Sequence, residues 1–333
     1  MKAIYLGAVV ERAGKTMVSL GLAKNCPGRV GYFKPFKEDV ISVDDRLVDM
    51  DAHLMKKALN LGQDEEALSP IRYDLFKPAL MDKLLSAYER VKCECDYMLI
   101  EGARIIQTGY LHDVSGLAFS EAVGADVVLV STSQPQAIES VGLLKRLMES
   151  YEVNFRGVIL NKTDDPAYEA LLAEKGIPVL GSIPTLRELK YYRVKEVADA
   201  LGADVIVGEQ GLDKIVEEVM IGAMRPETAI KYLRRVARKA VITGGDRSDI
   251  QIAALSTDTS CLILTGGLYP EKTVIAKAYE EQIPVLLVRY DTATTAEMVE
   301  HLIARIAPDD QRKIDLITKA VREHVDLSKI WEK

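Results

Sequence analysis

The chain has 333 residues, enough for about two domains, and its 48% hydrophobic and 28% charged residues are those of a globular protein that folds in water. A formal net charge of −7 argues against non-specific binding to nucleic acid or to an anionic membrane surface. No apolar run reaches the ~20 residues that cross a bilayer, and Cys26, Cys93, Cys95 and Cys261 lack zinc-ligand spacing. Reduced thiols, and a first strand with no leader ahead of it, make the cytoplasm the expected location.

In chain order, the first element is an apolar strand over Ala3–Val9. It leads to Gly14-Lys15-Thr16, after which Met17–Ala23 reads as a helix. That order is the second half of a phosphate-binding loop. N–H groups at a helix N-terminus hold phosphate oxygens, the lysine reaches the β- and γ-phosphates, and the hydroxyl ligates Mg²⁺. The glycine usual five residues before Gly14 is Val9 here, so an ordinary strand-turn-helix with an exposed lysine stands as the alternative.

Further short runs follow at Val30–Phe33, Tyr97–Ile100, Val127–Val130, Val158–Leu160 and Val179–Leu180, with helices at Met81–Lys92 and Ala137–Ser150 between them. The runs are apolar on both faces, which is how parallel strands covered by helices read. The expected fold class is therefore α/β, a doubly wound parallel sheet in a first domain over 1–200. A second, smaller α/β domain over 201–307 takes strands at Val205–Val207, Val219–Ile221, Ala240–Ile242, Leu262–Leu264 and Val285–Val288. A helical tail over 308–333 carries one apolar stripe, Ile314, Ile317, Val321 and Val325, expected to pack on the body.

Ligands of open parallel sheets bind outside the carboxyl ends of the strands. Those ends deliver Lys15 and Thr16, then Lys34, then Glu101, then Asn161 to one edge. Lys34 suits a phosphate or an acidic substrate. Glu101 suits Mg²⁺, as does Asp51 at the start of a helix, where N-capping is the alternative. Asn161 suits a base edge, and His53 and His112 have no evident partner.

These residues carry a resemblance. Val10-Glu11-Arg12-Ala13-Gly14-Lys15-Thr16, Gly31-Tyr32-Phe33-Lys34-Pro35, Asp49-Met50-Asp51-Ala52, Ile100-Glu101-Gly102-Ala103, Leu160-Asn161-Lys162 and Gly181-Ser182-Ile183-Pro184 resemble dethiobiotin synthetase. They equally resemble the related P-loop NTPase domain at the N-terminus of long-form phosphotransacetylases. The resemblance implies an ATP site with Ala13, Gly14, Lys15, Thr16 and Met17 around the phosphates, and with Thr16, Asp51 and Glu101 around Mg²⁺. It puts Lys34 beside the substrate or γ-phosphate and Asn161 near the base. Two segments depart from dethiobiotin synthetase: Phe36-Lys37-Glu38-Asp39 replaces small and hydroxyl residues, and Arg104-Ile105-Ile106 replaces glycines. Dethiobiotin synthesis is not expected.

The second half resembles a DRTGG domain, through Gly208-Glu209 ahead of a helix at Ile215, then Thr243-Gly244-Gly245-Asp246-Arg247-Ser248-Asp249 and Leu264-Thr265-Gly266-Gly267. In long phosphotransacetylases this pair of domains precedes the acetyl-transferring domain, for which this sequence has no counterpart. The pairing implies regulation: an effector at the second domain, a homodimer, and an acyl-transfer enzyme as partner. Thr243, Gly244, Gly245, Asp246, Arg247, Thr265, Gly266 and Gly267 form a second candidate site, in which glycine N–H groups approach an anion. Tight turns and close dimer packing are the alternative there, and Asp246 and Arg247 either pair together or meet a ligand.

A structural or interaction protein that keeps the fold and has lost hydrolysis is disfavoured by the presence of Lys15, Thr16, Asp51 and Glu101 together, and three functions stay open. One is an ATP·Mg²⁺-binding protein with a sensing domain. Another is an ATP-dependent enzyme activating a carboxylate or carbamate, with Lys34 stabilising the developing charge. A third is a GTP-binding protein, since Asn161-Lys162-Thr163-Asp164 spells the N-K-x-D pattern in which Asp164 reads guanine.

Overall fold

The computed structural model describes residues 1–76, 81–92, 95–300 and 306–332; Cys93 lies outside them. The chain forms two compact units, Met1–Thr185 with Ile306–Lys333, and Leu186–Arg305.

The first unit begins with β1 (Lys2–Ala8), α1 (Lys15–Lys24) and β2 (Val30–Phe33), followed by a hairpin of β3 (Val40–Val43) and β4 (Arg46–Asp49). Next come α2 (Met50–Leu59), α3 (Glu65–Leu68), α4 (Met81–Val91), β5 (Tyr97–Glu101), α5 (Gly116–Val123), β6 (Asp126–Ser131), α6 (Pro135–Met148), β7 (Phe155–Asn161), α7 (Ala167–Glu174) and β8 (Val179–Ile183). Six strands form one sheet in the order β2-β5-β1-β6-β7-β8, every neighbouring pair parallel. The middle strands are buried on both faces, as their unbroken apolar runs require. The carboxyl ends of β1, β2, β5 and β7 therefore share one edge, which fixes where Lys15, Lys34, Glu101 and Asn161 emerge.

The second unit contains β9 (Tyr192–Arg193), α8 (Val194–Leu201), β10 (Asp204–Val207), β11 (Ile215–Val216), β12 (Glu218–Ile221), α9 (Pro226–Leu233), β13 (Lys239–Gly244), α10 (Ser248–Leu255), β14 (Thr259–Thr265), α11 (Lys272–Glu280), β15 (Val285–Leu287) and α12 (Thr292–Glu300). Its sheet runs β10-β15-β14-β13-β12 and is mixed: β10 is antiparallel to β15, and the rest are parallel. Two apolar clusters, one around Val241, Leu262 and Leu264 and one around Val194, Ala240 and Ile263, form its core. Ile215 does not begin a helix, as the sequence suggested. The β-branched pair Ile215-Val216 instead bonds antiparallel to Arg193 and Tyr192.

The chain then returns to the first unit as α13 (Gln311–His324) and α14 (Leu327–Trp331). Ile314, Ile317, Val321 and Val325 are all buried. Helix α1 is buried on nearly every side from Met17 to Ala23, so it needs cover beyond the sheet. Helix α13 supplies it at Gly21, where an added Cβ would stand 2.2 Å from Val321 Cγ2 and 3.3 Å from Ile317 Cγ2. Asn25 at the end of α1 donates to Thr318 O at 2.8 Å. Beyond α13, Val325 pairs with Gly181 and Asp326 N–H donates to Leu180 O, so the edge of β8 is covered.

We expect Gly21→Val to force α1 and α13 apart and to lower stability by about 1–3 kcal/mol. Urea unfolding followed through the first transition measures it, and an unchanged midpoint would mean that α13 does not press on α1.

Candidate functional site

The loop from β1 to α1 is held open by a glycine in left-handed conformation. Gly14 has φ 87°, and an added Cβ would stand 2.2 Å from Asn161 Nδ2, so both backbone and space demand glycine. Asn161 is buried at the end of β7 and donates to Ala13 O at 2.7 Å, while Lys162 Nζ donates to Arg12 O at 2.7 Å. Arg12 and Lys162 also hold positive φ, 58° and 59°. Left-handed non-glycine residues cluster where the surroundings over-determine the chain. Asn161 thus braces the loop through its amide nitrogen. Asp164, three residues on, is exposed.

Helix α1 starts with no side-chain cap and no acidic residue of its own in the first turn. Its N–H groups and the positive end of its dipole are therefore available to an anion. Met17 is buried in the core, so only its main chain belongs to this turn.

The other strand ends supply a charged cluster. Glu101, wholly buried at the end of β5, accepts from Thr16 Oγ1 at 2.7 Å and Lys15 Nζ at 3.2 Å on Oε1, and from Tyr32 OH at 3.1 Å on Oε2. Lys34 is 1% exposed, and its Nζ lies 3.1 Å from Asp49 Oδ2, 2.6 Å from Asp51 Oδ2 and 3.7 Å from Glu38 Oε2. Asp49, not Asp51, caps α2: its Oδ1 accepts the Ala52 N–H at 3.0 Å. Asp51 is thereby left for Lys34. Burial opposes the Lys34 ammonium, but Asp51, Asp49, Glu101 and Glu38 outweigh it and hold its pKa above the usual lysine value. Burial likewise opposes the Asp51 carboxylate, and Lys34, Lys15 and the Thr16 hydroxyl outweigh it to keep its pKa below the usual range. Glu38 goes the other way: burial raises its pKa against the pull of Lys34 and Lys15.

The structure thus brings Lys15, Thr16, Lys34, Asp51 and Glu101 together. Four carboxylates (Glu38, Asp49, Asp51, Glu101) face two ammonium groups (Lys15, Lys34), a formal surplus of two negative charges in a largely buried cluster. A hard divalent cation matches that surplus. Thr16, Asp51 and Glu101 are a fitting donor set for Mg²⁺, which takes one or two carboxylates and keeps several waters. Among the described residues no group of three or more His, Cys, Asp or Glu side chains forms a metal cage.

Sequence reasoning missed Tyr32, Asp49 and the Glu38–Arg104 contact. Tyr32 had a signal, since it sits two residues before Lys34 on the same side of an extended chain. The histidines have partners after all. His53 Nδ1 lies 2.9 Å from Glu65 Oε1, where burial works against the carboxylate but Lys56 and His53 hold its pKa down at about 2. His112 Nε2 lies 2.8 Å from Leu75 O.

In the second unit, Thr243 and Thr265 are buried at the ends of β13 and β14. The N–H groups of Gly245, Gly266 and Gly267 donate to Thr265 O, Tyr290 O and Val288 O, so three donors of the anion reading are used by the fold. Gly245 is required by close approach: an added Cβ would stand 1.9 Å from Leu268 O. Gly244 O and Gly245 O both accept from Gln251 Nε2. Arg247 pairs with Asp249 at 3.0 Å, and not with Asp246.

A family model described as AAA domain matches residues 2–192, and a DRTGG domain model matches 196–302. A phosphate acetyltransferase of Nitratidesulfovibrio vulgaris is 26% identical over 360 aligned residues, covering 98% of this chain and 51% of that protein. The chain thus spans about half the length of such relatives. An ATP-dependent dethiobiotin synthetase of Nitrosopumilus maritimus is 23% identical over 210 residues, covering 57% of this chain and 91% of that protein. Among solved structures, the CBS and DRTGG domains of a Clostridium perfringens pyrophosphatase align at 19% identity with a TM-score of 0.29, covering 50% of this chain and 87% of that one.

Removing Lys34 strands buried Asp49 and Asp51. We expect Lys34→Met to cost about 3–5 kcal/mol at pH 7. Asp51 contributes stability above the ordinary value of 3.8 and loses it as pH falls through its depressed value. Lys34 contributes below 10.5 and loses it as pH rises through its raised value. The deficit of the variant should therefore shrink on acidification, as the stranded carboxylates protonate. Denaturant titrations at several pH values check this, and a deficit independent of pH would contradict the ion cluster.

Proposed function

The chain belongs to the AAA domain family, here joined to a DRTGG domain, and on that premise we propose that it binds ATP with Mg²⁺ at the carboxyl edge of its six-stranded sheet. The observation that carries this reading is the convergence of Lys15, Thr16, Asp51 and Glu101 beside the uncapped start of α1. In it, the α1 N–H groups and Lys15 hold phosphate oxygens, and Thr16, Asp51 and Glu101 hold the cation, partly through its waters. The cation relieves the surplus negative charge, and Lys15 exchanges Glu101 for phosphate.

Similarity to phosphate acetyltransferases over nearly the whole chain supports a regulatory role. In that role the nucleotide domain and the DRTGG domain report metabolic state to an acetyl-transferring region or partner. Because three glycine N–H groups of the second unit are used by its own fold, its effector is expected to be recognised by side chains as well as by backbone.

We expect Lys15→Ala to remove a charge-assisted phosphate contact worth roughly 1.5–3 kcal/mol, about 10- to 150-fold in ATP affinity. Calorimetric titration of both proteins with ATP and Mg²⁺ measures it, and equal affinities would sink the phosphate-loop assignment.

The guanine alternative rests on Asp164, exposed three residues after the braced Asn161. We expect ATP to displace a fluorescent nucleotide better than GTP, and Asp164→Asn to leave that order unchanged. A preference for GTP of about tenfold, abolished by Asp164→Asn, would replace ATP with GTP.

A further inference from the structure

The two segments that depart from dethiobiotin synthetase, 36–39 and 104–106, are far apart in sequence and joined in the structure. Glu38 Oε1 accepts the Arg104 N–H at 2.8 Å, with Arg104 Nε 3.9 Å from the same oxygen and its Nη2 3.5 Å from Asp39 Oδ1. The Glu38 N–H donates to Asp49 Oδ2 at 2.9 Å, so the residue is tied at both ends. The second segment is fastened in turn. Ile106 N–H donates to Ala8 O at 2.9 Å, and Ile106 lies over Gly7, where an added Cβ would stand 2.6 Å from its Cδ1. The other Glu38 oxygen is left 3.7 Å from Lys34 Nζ.

An ammonium has three N–H donors and no more. Asp49 and Asp51 accept from Lys34, and Glu38 stands next in line. The three donors of Lys34 are thus taken by Asp49 and Asp51, and Glu38 adds a further negative charge 3.7 Å from the ammonium that a small anion brought to Lys34 has to overcome.

We propose that Glu38, clamped by Arg104, is a specificity determinant that keeps small anionic co-substrates such as bicarbonate away from Lys34, leaving a site that takes a nucleotide and its metal without an acidic acceptor. The proposal rests on the nucleotide-binding reading for its functional meaning, while the exclusion itself is a property of Lys34 and Glu38. It separates nucleotide binding from carboxylate or carbamate activation at this site. Glu38 acts here as a fixed internal carboxylate. A fixed negative charge in a half-buried setting opposes an incoming anion far more than it would in water.

The test uses the full chain as wild type, Glu38→Gln and Glu38→Ala. ADP with Mg²⁺ is titrated into each by calorimetry, and bicarbonate is then titrated with and without saturating nucleotide. Glu38→Gln keeps an acceptor for the Arg104 N–H and removes only the charge; Glu38→Ala removes charge and bulk. We expect bicarbonate to bind at least one of the variants about tenfold or more tightly than wild type. Equal bicarbonate affinity in all three proteins, tight or immeasurably weak, would overturn the proposal. Failure of wild type to bind ADP with Mg²⁺ would overturn the nucleotide reading instead, and the nucleotide-free bicarbonate comparison would still judge Glu38.

Discussion

A carboxylate without solvent at the end of a central strand has to be compensated by its neighbours, because an isolated buried charge costs several kcal/mol even after relaxation. Glu101 is that carboxylate. Lys15 and Thr16 from the start of α1 and Tyr32 from β2 supply the compensation, each within hydrogen-bonding distance. The contact ties three neighbouring strand ends into one place. It sets the first turn of α1 against β5, and it puts the Lys15 ammonium and the Thr16 hydroxyl on the same oxygen. Lys34 repeats the device next door with Asp49 and Asp51. Asp49 also caps α2, so the helix that carries Asp51 is positioned by the same ion cluster.

The rest of the first unit keeps α1 in register with that cluster. Gly14 lets Asn161 reach under the loop, and Gly21 lets α13 lie against the helix. The segment holding α13 re-enters the first unit only after the chain has built the whole second unit. Helix α1, whose N-terminus forms the candidate phosphate site, is therefore covered by residues that follow the DRTGG domain in sequence.

Much of this was legible in the residues. Lys15, Lys34, Glu101 and Asn161 each follow an apolar run, and a parallel sheet must bring such residues to one edge. The stripe at Ile314, Ile317, Val321 and Val325 announced a buried helical face, although nothing local named α1 as its partner. What stayed hidden were contacts without a local pattern. Arg104 and Glu38 lie 66 residues apart, and neither sits in a recognisable motif. The β3–β4 hairpin turns at Asp44-Asp45, both in left-handed conformation, where an Asn-Gly pair would have been a clearer sign. Ile215 joins β9 through a two-residue pairing too short to read as a strand. The glycine pairs of the second unit read equally as anion cradles or as tight turns, because sequence cannot show that Thr265, Tyr290 and Val288 accept from three of their N–H groups.

On the proposed reading, the surplus negative charge around Glu101 and Asp51 holds a divalent cation together with a nucleotide. Mn²⁺ in place of Mg²⁺ makes this directly observable, by electron paramagnetic resonance on the protein saturated with a non-hydrolysable ATP analogue. We expect wild type to retain a single Mn²⁺ only when the nucleotide is present, and Asp51→Asn and Glu101→Gln, checked for folding by circular dichroism, to lose it. Wild type that retains no Mn²⁺ with the nucleotide, or folded variants that retain it as tightly as wild type, would contradict the claim.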